Sequence, residues 1–243
     1  ASPRQHEYVA LHANGRTVQA FVVYPEVKQK APVVILIHEI FGLTDWAKEM
    51  ADEIAAQGFI VVAPDLLSGH GPSDGGSDAF PDQDARVKAV SALDPVEVMS
   101  DLDASIAYAK ASGHADTTRM GITGFCWGGR IVLMYAAHNP QLKAAVAWYG
   151  PTARSYHPGD KTAIEVAGHV KAATLGLYGG ADQGIPVDTV EKEFAAIRAG
   201  GNRKVDYHVY PGTPHAFFAD YRPSYTKEAA EDGWQRATAW FKA

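Results

Sequence analysis

Short runs of uninterrupted apolar residues recur along the chain, and most of them alternate with stretches of helical spacing. One run covers residues 32–37, and others cover residues 59–63 and 144–148. A strand that is apolar at every position is buried on both faces, as in a parallel sheet covered by helices. The alternation of such strands with helices predicts a mostly parallel, doubly wound α/β sheet.

The remaining elements fit this rhythm. Residues 7–12 and 16–24 alternate in polarity on either side of Asn14-Gly15, which predicts an antiparallel hairpin at the start of the sheet. Further strands are expected at 119–123, 173–178 and 205–210, and helices at 44–57, 84–111 with an interruption near Pro95, 128–138, 187–198 and 225–241. No internal repeat or linker divides the chain, so we expect a single domain over residues 1–243.

Composition excludes several classes of protein. The chain has 22 basic and 28 acidic residues, a net charge of −6, and no cluster of Lys and Arg, which disfavours nucleic acid as a partner. No apolar run reaches the length of a membrane span. The single cysteine, Cys126, cannot form an intrachain disulfide. Because the first six residues lack the apolar core of a signal peptide, we expect a cytoplasmic protein, or a periplasmic one if a signal peptide was removed before residue 1.

The most informative motif is Gly-Phe-Cys-Trp-Gly-Gly at residues 124–129, between a predicted strand and a predicted helix. It has the spacing of a nucleophile elbow, with cysteine in place of serine. Side chains at Gly124 and Gly128 are expected to collide with neighbouring backbone, and the helix N-terminus favours a negative charge on sulfur. The alternative is a buried, inert cysteine beside a tight turn, since free cysteine is often buried.

An acid and a histidine follow the elbow in the order that this kind of nucleophile requires. Asp182 comes after a predicted strand that ends in glycines, and His215 comes after the next strand. Asp182 would orient the imidazole, and His215 would carry the proton. The alternatives are a turn cap for Asp182 and a surface loop residue for His215. His208 lies within a predicted strand and Asp188 within a helix, so both are weaker candidates.

Two loops allow more than one interpretation. Glu39 follows the first long apolar strand, where this type of sheet places an oxyanion-hole N–H, and a carboxylate there would repel a developing oxyanion. It is either a functional residue or a solvated loop residue. Residues 68–78 are polar and rich in glycine, which is typical of a surface excursion, although they could instead form the rim of an active site.

The chain resembles the dienelactone hydrolases (carboxymethylenebutenolidases) of the α/β-hydrolase fold. The resemblance rests on His-Glu-Ile-Phe-Gly-Leu at 38–43, Ala-Pro-Asp-Leu at 63–66, the cysteine elbow, Gly-Gly-Ala-Asp at 179–182 and Pro-His-Ala-Phe at 214–217. It covers nearly all of the chain after the opening hairpin.

The resemblance implies a triad of Cys126, Asp182 and His215. It also implies that Glu39 contacts the resting thiol and swings away when substrate binds. The backbone N–H groups of Ile40 and Trp127 would form the oxyanion hole.

In the members that degrade dienelactone, two arginines hold the substrate carboxylate. Arg86 corresponds loosely to one of them. The other would stand at position 219, where this chain has Ala219, and Arg222 lies out of register. This departure points to a lactone or ester other than dienelactone.

We therefore expect a hydrolase of lactones or activated esters that works through a thioester and needs no cofactor or metal. Its partner would be a small-molecule substrate, with no nucleic acid or membrane, in a monomer or small homo-oligomer. One alternative is a general carboxylesterase with an apolar pocket lined by Phe41, Trp127, Phe217 and Phe218. The other is a non-catalytic binding protein on the same fold.

Overall fold

Strands and helices alternate in the computed structural model, which describes residues 4–243. Within this range eight strands form a sheet in the order β1-β2-β4-β3-β5-β6-β7-β8, accompanied by seven α-helices. The strands are β1 His6–Ala13, β2 Arg16–Val23, β3 Ala31–Ile37, β4 Ile60–Pro64, β5 Ala115–Phe125, β6 Ala144–Trp148, β7 Ala173–Gly179 and β8 Val205–Tyr210. The helices are α1 Asp45–Ala55, α2 Gln83–Ser91, α3 Pro95–Ala111, α4 Trp127–His138, α5 Ala163–Val166, α6 Val187–Ala199 and α7 Lys227–Lys242. This is the mostly parallel α/β fold with an antiparallel start that the sequence predicts.

The opening hairpin has the turn that its sequence favours. Strands β1 and β2 pair antiparallel, with Ala13 opposite Arg16 at the turn. Asn14 and Gly15 both have positive φ, of 47° and 78°, as a two-residue type I′ turn requires. Strand β2 then pairs antiparallel with β4 and joins the hairpin to the sheet.

Contacts group the described residues into two compact units, and the first comprises residues 4–121 and 156–160. In it β3 and β4 run parallel, with Val33 opposite Ile60, and every residue of β4 is buried. Helix α1 packs against β4 and β2, while α3 packs against β1, β3 and β4. Side-chain caps begin both helices: Thr44 accepts from the third residue of α1, and Asp94 caps α3 with proline in first position.

The second unit comprises residues 122–155 and 161–243. Strands β6, β7 and β8 run parallel in it, and α4 packs against β6 while α6 packs against β8. Loops leave the carboxyl ends of these strands and of β5 at one edge of the sheet. In this fold class, ligands and catalytic groups collect at that edge.

The observed elements differ from the predicted ones mainly at their ends. The break near Pro95 is confirmed, because α2 ends at Ser91 and α3 begins at Pro95. Strand β5 begins at Ala115, four residues earlier than predicted, since residues 117–119 are exposed and polar and give no apolar signal. In residues 4–243 no helix has both the length and the apolarity needed to cross a bilayer.

Candidate active site

Cys126 lies on a sharp turn between β5 and α4. Its backbone has φ 60° and ψ −119°, a conformation that non-glycine residues adopt only when the surrounding structure enforces it. The Cys126 N–H donates to the carbonyl of Trp148 on the neighbouring strand (3.0 Å), and its own carbonyl accepts from Gly129 (2.9 Å). The strand–turn–helix context of the predicted elbow is confirmed, and Cys126 occupies its apex at the N-terminus of α4.

Two glycines let the elbow helix approach the sheet. A Cβ atom on Gly129 would lie 2.5 Å from the Trp148 carbonyl oxygen, and a Cβ on Gly150 would overlap the backbone of Gly129. The motif predicts this steric need at Gly124 and Gly128 and gives no indication of it at Gly150. No local signal identifies Gly150, because its neighbour comes from a distant part of the chain.

The structure brings the three predicted catalytic side chains together. His215 Nε2 lies 3.1 Å from Cys126 Sγ, and His215 Nδ1 lies 2.5 Å from Asp182 Oδ2. Cys126 and Asp182 are buried, while the His215 side chain is 31% exposed. Asp182 also caps its own turn, because Oδ1 accepts from the Gly184 N–H at 3.0 Å. Asp182 therefore caps its own turn and also contacts His215, so the two interpretations of this residue are compatible.

Hydrogen bonds between the two loops that carry Asp182 and His215 fix their separation. The N–H groups of Gly180 and Ala181 donate to the carbonyls of Tyr210 and Thr213, at 2.8 and 2.9 Å. A Cβ on Gly179 would overlap the Thr213 carbonyl, so only glycine permits this approach. The acid and the histidine are thus held by backbone contacts, independently of their own side-chain hydrogen bond.

The environment of His215 favours its protonated form. Burial by itself lowers the pKa of His215, but hydrogen bonds to Asp182 and Cys126 and the negative charges of both outweigh it and raise the pKa to about 9. The ring of Tyr149 stands edge-on to the imidazole, with centroids 5.1 Å apart. Tyr149 is fully buried and has φ 38°, and sequence reasoning did not identify it.

The sequence predicts that Phe217 lines a substrate pocket, but the structure places its ring in the core. Its side chain is fully buried and packs against the rings of Trp148, Tyr149 and Tyr210. The ring therefore belongs to the core beneath His215, where a close-packed interior immobilises the loop. Its neighbour Phe218 stacks on Phe125 and lies tilted against Trp148. Phe217 therefore serves packing, a role that the sequence pattern alone could not distinguish from that of a pocket wall.

The loop after β3 holds Glu39 away from water. Glu39 is 1% exposed, so its interpretation as a solvated loop residue is wrong. His38 fixes the backbone here: the Leu66 N–H donates to its Nε2 (3.2 Å), so Nδ1 carries the proton and donates to the Glu39 carbonyl (2.8 Å). Burial lowers the pKa of His38, which agrees with this neutral ring.

Arg86, Ile40 and Phe41 belong to the same region. Arg86 extends from α2 and donates from Nε to the Phe41 carbonyl at 3.0 Å. Ile40 and Phe41 lie in a tight turn closed by a bridge between Glu39 and Gly42, in which the Gly42 N–H donates to the Glu39 carbonyl at 3.1 Å. Arg86 thus supports the loop backbone, and its contact with a substrate stays a prediction.

His208 and Asp188, the weaker candidates for the histidine and the acid, contact other residues. His208 lies in β8 with its ring against Tyr210, and burial lowers the pKa of His208. Asp188 lies in the first turn of α6 and pairs with Lys192 at 3.6 Å. Across residues 4–243, no three His, Cys, Asp or Glu side chains are grouped so that they could hold a metal ion.

Known proteins with similar sequences and structures indicate the family of this chain. Residues 18–243 match the dienelactone hydrolase family. A protein from Methylorubrum extorquens strain AM1, provisionally named a carboxymethylenebutenolidase, is 45% identical over 231 residues, which cover 93% of this chain and 76% of that protein. A Bradyrhizobium protein whose name provisionally assigns it 2-oxo-3-(5-oxofuran-2-ylidene)propanoate lactonase activity is 27% identical over 241 residues, or 97% of this chain and 93% of that protein.

A solved structure extends the comparison to three dimensions. A protein from Klebsiella pneumoniae, provisionally titled a dienelactone hydrolase, superposes with a TM-score of 0.88 at 38% identity, covering 98% of both chains. Both the sequence match over most of the chain and the likeness of the fold lead to one conclusion. This chain belongs to the dienelactone hydrolase family of hydrolases.

Proposed function

We propose that this protein hydrolyses lactones or activated carboxylic esters through a thioester on Cys126. The observation that carries the proposal is the continuous contact from Cys126 Sγ to His215 Nε2 and from His215 Nδ1 to Asp182. A nucleophile, a base and an orienting acid within hydrogen-bond reach are the requirements of covalent acyl transfer. The same arrangement argues against a non-catalytic binding protein, because binding alone requires none of these contacts.

The thiol proton is held on His215 Nε2 before the reaction, and in the first half the Cys126 sulfur attacks the substrate carbonyl. The carbonyl π electrons move to oxygen and form a tetrahedral oxyanion. Collapse breaks the bond to the alcohol oxygen, which leaves with the proton from Nε2, and the acyl group remains on sulfur as a thioester. In a lactone the leaving oxygen is part of the same molecule, so the ring opens and the product stays attached.

Water completes the cycle. His215 accepts a proton from water, the hydroxide oxygen attacks the thioester carbonyl, and collapse of the second oxyanion breaks the carbon–sulfur bond. The acid product leaves and Cys126 regains its starting state. Asp182 stabilises the imidazolium in each half. Since the pKa of His215 is about 9, the imidazole holds its proton at neutral pH and can deliver it to a leaving group.

The oxyanion requires donors, and the chain offers two backbone N–H groups for this role. In our proposal these are the amides of Trp127, at the start of α4, and of Ile40, in the turn after β3. Glu39 is the group that activates the thiol in the resting enzyme. Its burial supports the proposal, because a carboxylate held out of water interacts more strongly with a nearby proton or charge.

Covalent labelling of Cys126 tests this function directly. Iodoacetamide is expected to abolish hydrolysis of p-nitrophenyl acetate with one label per chain, since Cys126 is the sole thiol. Cys126→Ala should show no turnover, and Cys126→Ser should retain little, because a hydroxyl ionises far less readily than a thiol. Turnover at the wild-type rate in Cys126→Ala would rule out the thioester mechanism. No turnover by the wild-type protein on any lactone or ester would favour the binding protein.

The substrate is proposed to be a neutral lactone or ester. Ala219 is fully buried, so position 219 presents no side chain to a substrate carboxylate. A substrate carboxylate that has one arginine partner in place of two in a partly desolvated site loses roughly 2–4 kcal/mol of binding free energy. The lactonase name of the Bradyrhizobium relative favours a lactone over an open-chain ester.

This substrate preference has its own test. The value of kcat/KM for the methyl ester of dienelactone should exceed that for the free acid by roughly 30-fold or more. Arg86→Gln provides the comparison, because Arg86 is the one side chain to which the resemblance assigns a substrate carboxylate in this chain. A strong preference of the wild-type enzyme for the free acid, lost in Arg86→Gln, would contradict the proposal.

A further inference from the structure

Ser77, a buried serine in the segment after β4, hydrogen-bonds to the loop that follows β3. Ser77 Oγ accepts a hydrogen bond from the Leu43 N–H at 3.0 Å and donates to Asp65 Oδ1 at 2.6 Å. The Ser77 N–H donates to the second carboxylate oxygen of Asp65 at 2.9 Å. Ser77 is 4% exposed and Asp65 is 8% exposed. Asp65 therefore fixes both the backbone and the hydroxyl of Ser77, so that the oxygen faces Leu43.

Ser77 also limits the space available to the loop. Gly42, directly before Leu43, has φ 79°, and a Cβ on it would lie 2.5 Å from Ser77 Oγ. The turn from Glu39 to Gly42 thus packs directly against the serine. Leu43 is held by a hydrogen bond and Gly42 by close packing, so the loop has little freedom to shift.

The loop is supported at three backbone positions by side chains. His38 binds the Glu39 carbonyl, Arg86 binds the Phe41 carbonyl, and Ser77 binds the Leu43 N–H. The amide of Ile40 lies between the first two. The Ser77 side chain that binds the loop is itself held by buried hydrogen bonds to the Asp65 carboxylate.

We propose that Ser77, oriented by Asp65, is a positioning residue that fixes the Glu39–Leu43 loop for catalysis. This inference rests on the proposed function, in which that loop supplies the thiol-activating Glu39 and the oxyanion donor Ile40. An oxyanion hole works because its donors are already aimed before charge develops. Removing the hydroxyl leaves the buried Leu43 N–H without its acceptor, which favours other loop conformations in which the Ile40 amide is misdirected. The polar segment 68–78 thereby has a role, because Ser77, its last buried residue, anchors the Glu39–Leu43 loop.

Ser77→Ala tests the proposal, with Ser68→Ala as a matched control. Ser68 lies in the same segment, is equally buried, and hydrogen-bonds to the Asp65 carbonyl and the Gln19 N–H without contacting the 39–43 loop. Ser77→Ala should lower kcat on p-nitrophenyl acetate about 10- to 100-fold, less than the roughly 10²–10³ that loss of a whole oxyanion donor costs. KM should change by less than about threefold. Ser68→Ala should keep the wild-type kcat at a similar melting temperature.

Two outcomes would overturn the proposal: wild-type kcat in Ser77→Ala, or an equal loss of kcat in Ser68→Ala. If Ser77→Ala does not fold, Asp65→Asn replaces it. The amide keeps the shape of the carboxylate but loses one acceptor, so kcat should fall, and wild-type kcat there would also overturn the proposal. Iodoacetamide separates this result from failure of the proposed function. If that function is wrong, labelled wild-type protein still turns over; if only the positioning role is wrong, label abolishes turnover while Ser77→Ala works normally.

Discussion

Backbone strain marks the residues around the proposed nucleophile. Cys126, Tyr149 and Ala216 have φ of 60°, 38° and 58°, in the left-handed region that non-glycine residues rarely occupy. Cys126 and Tyr149 follow the ends of β5 and β6, and Ala216 follows His215 directly. Each such residue costs of order 1–3 kcal/mol and persists only where its surroundings enforce it. The Tyr149 ring lies edge-on to the His215 imidazole, which in turn contacts the Cys126 sulfur, so the strained residues cluster at the proposed site.

The raised pKa of His215 predicts the alkaline limit of activity. His215 should stay protonated up to pH about 9 and lose the proton above it, so kcat/KM should fall as pH rises through that value. Asp182→Asn removes a hydrogen bond and a charge that raise this pKa, so the fall should begin at lower pH and the rate should drop roughly 10²–10⁴-fold. The measurement is the pH profile of kcat/KM on a neutral ester.

Asp188→Asn is the control for this pH profile. Asp188 is a carboxylate on the exposed side of α6 that pairs with Lys192, so its replacement should leave the alkaline limit unchanged. An unchanged limit in Asp182→Asn, or a shifted limit in Asp188→Asn, would contradict the assignment of the titrating group to His215.

Among the strands and helices, local sequence signals predict the turns and helix ends that depend on residues adjacent in the chain. Asn14-Gly15 identifies the hairpin, and Pro95 identifies the start of α3, because turn and cap chemistry involves neighbours along the chain. The order of Cys126, Asp182 and His215 is predictable for a similar reason, since each follows the carboxyl end of a strand. Packing between distant segments is not predictable in this way. Phe217 looks like a pocket residue in sequence, yet its burial depends on three rings at or just beyond the ends of β6 and β8.

The close approach of α4 to the loop after β6 yields a prediction about stability. Gly150→Ala places a methyl group on the backbone of Gly129, so the helix must move away from the sheet. Overpacking of this kind costs about 1–3 kcal/mol, and kcat should fall as well, because Cys126 begins this helix. Gly168→Ala is the matched control, since a Cβ at Gly168 meets no atom within 4 Å. Urea unfolding measures both variants, and equal stabilities would contradict the steric argument.

For the whole molecule, stability depends on how buried charges are compensated. Arg130 is 2% exposed and donates to the carbonyls of Arg154 and Lys161, at 2.9 and 2.8 Å. Asp101 is fully buried and pairs with Arg16 at 2.7 Å. Glu193 on α6 is also fully buried, but neither of its carboxyl oxygens has a hydrogen-bond partner among the described residues. A carboxyl in that situation is stable only when it is neutral.

The titration of Glu193 should make folding stability depend on pH. Burial raises the pKa of Glu193 from 4.5 to about 8, whereas the unfolded chain ionises at the lower value. Between these values the folded state binds a proton that the unfolded state does not. The free energy of unfolding should therefore fall as pH rises, by up to ~1.4 kcal/mol per pH unit, and level off above about pH 8.

Glu193→Gln should remove this slope and be the more stable protein in alkali, whereas Glu191→Gln, exposed on the same helix, should keep the slope. Urea unfolding across this pH range decides the question, because parallel curves for wild type and Glu193→Gln would show that the buried carboxyl does not titrate as its surroundings require.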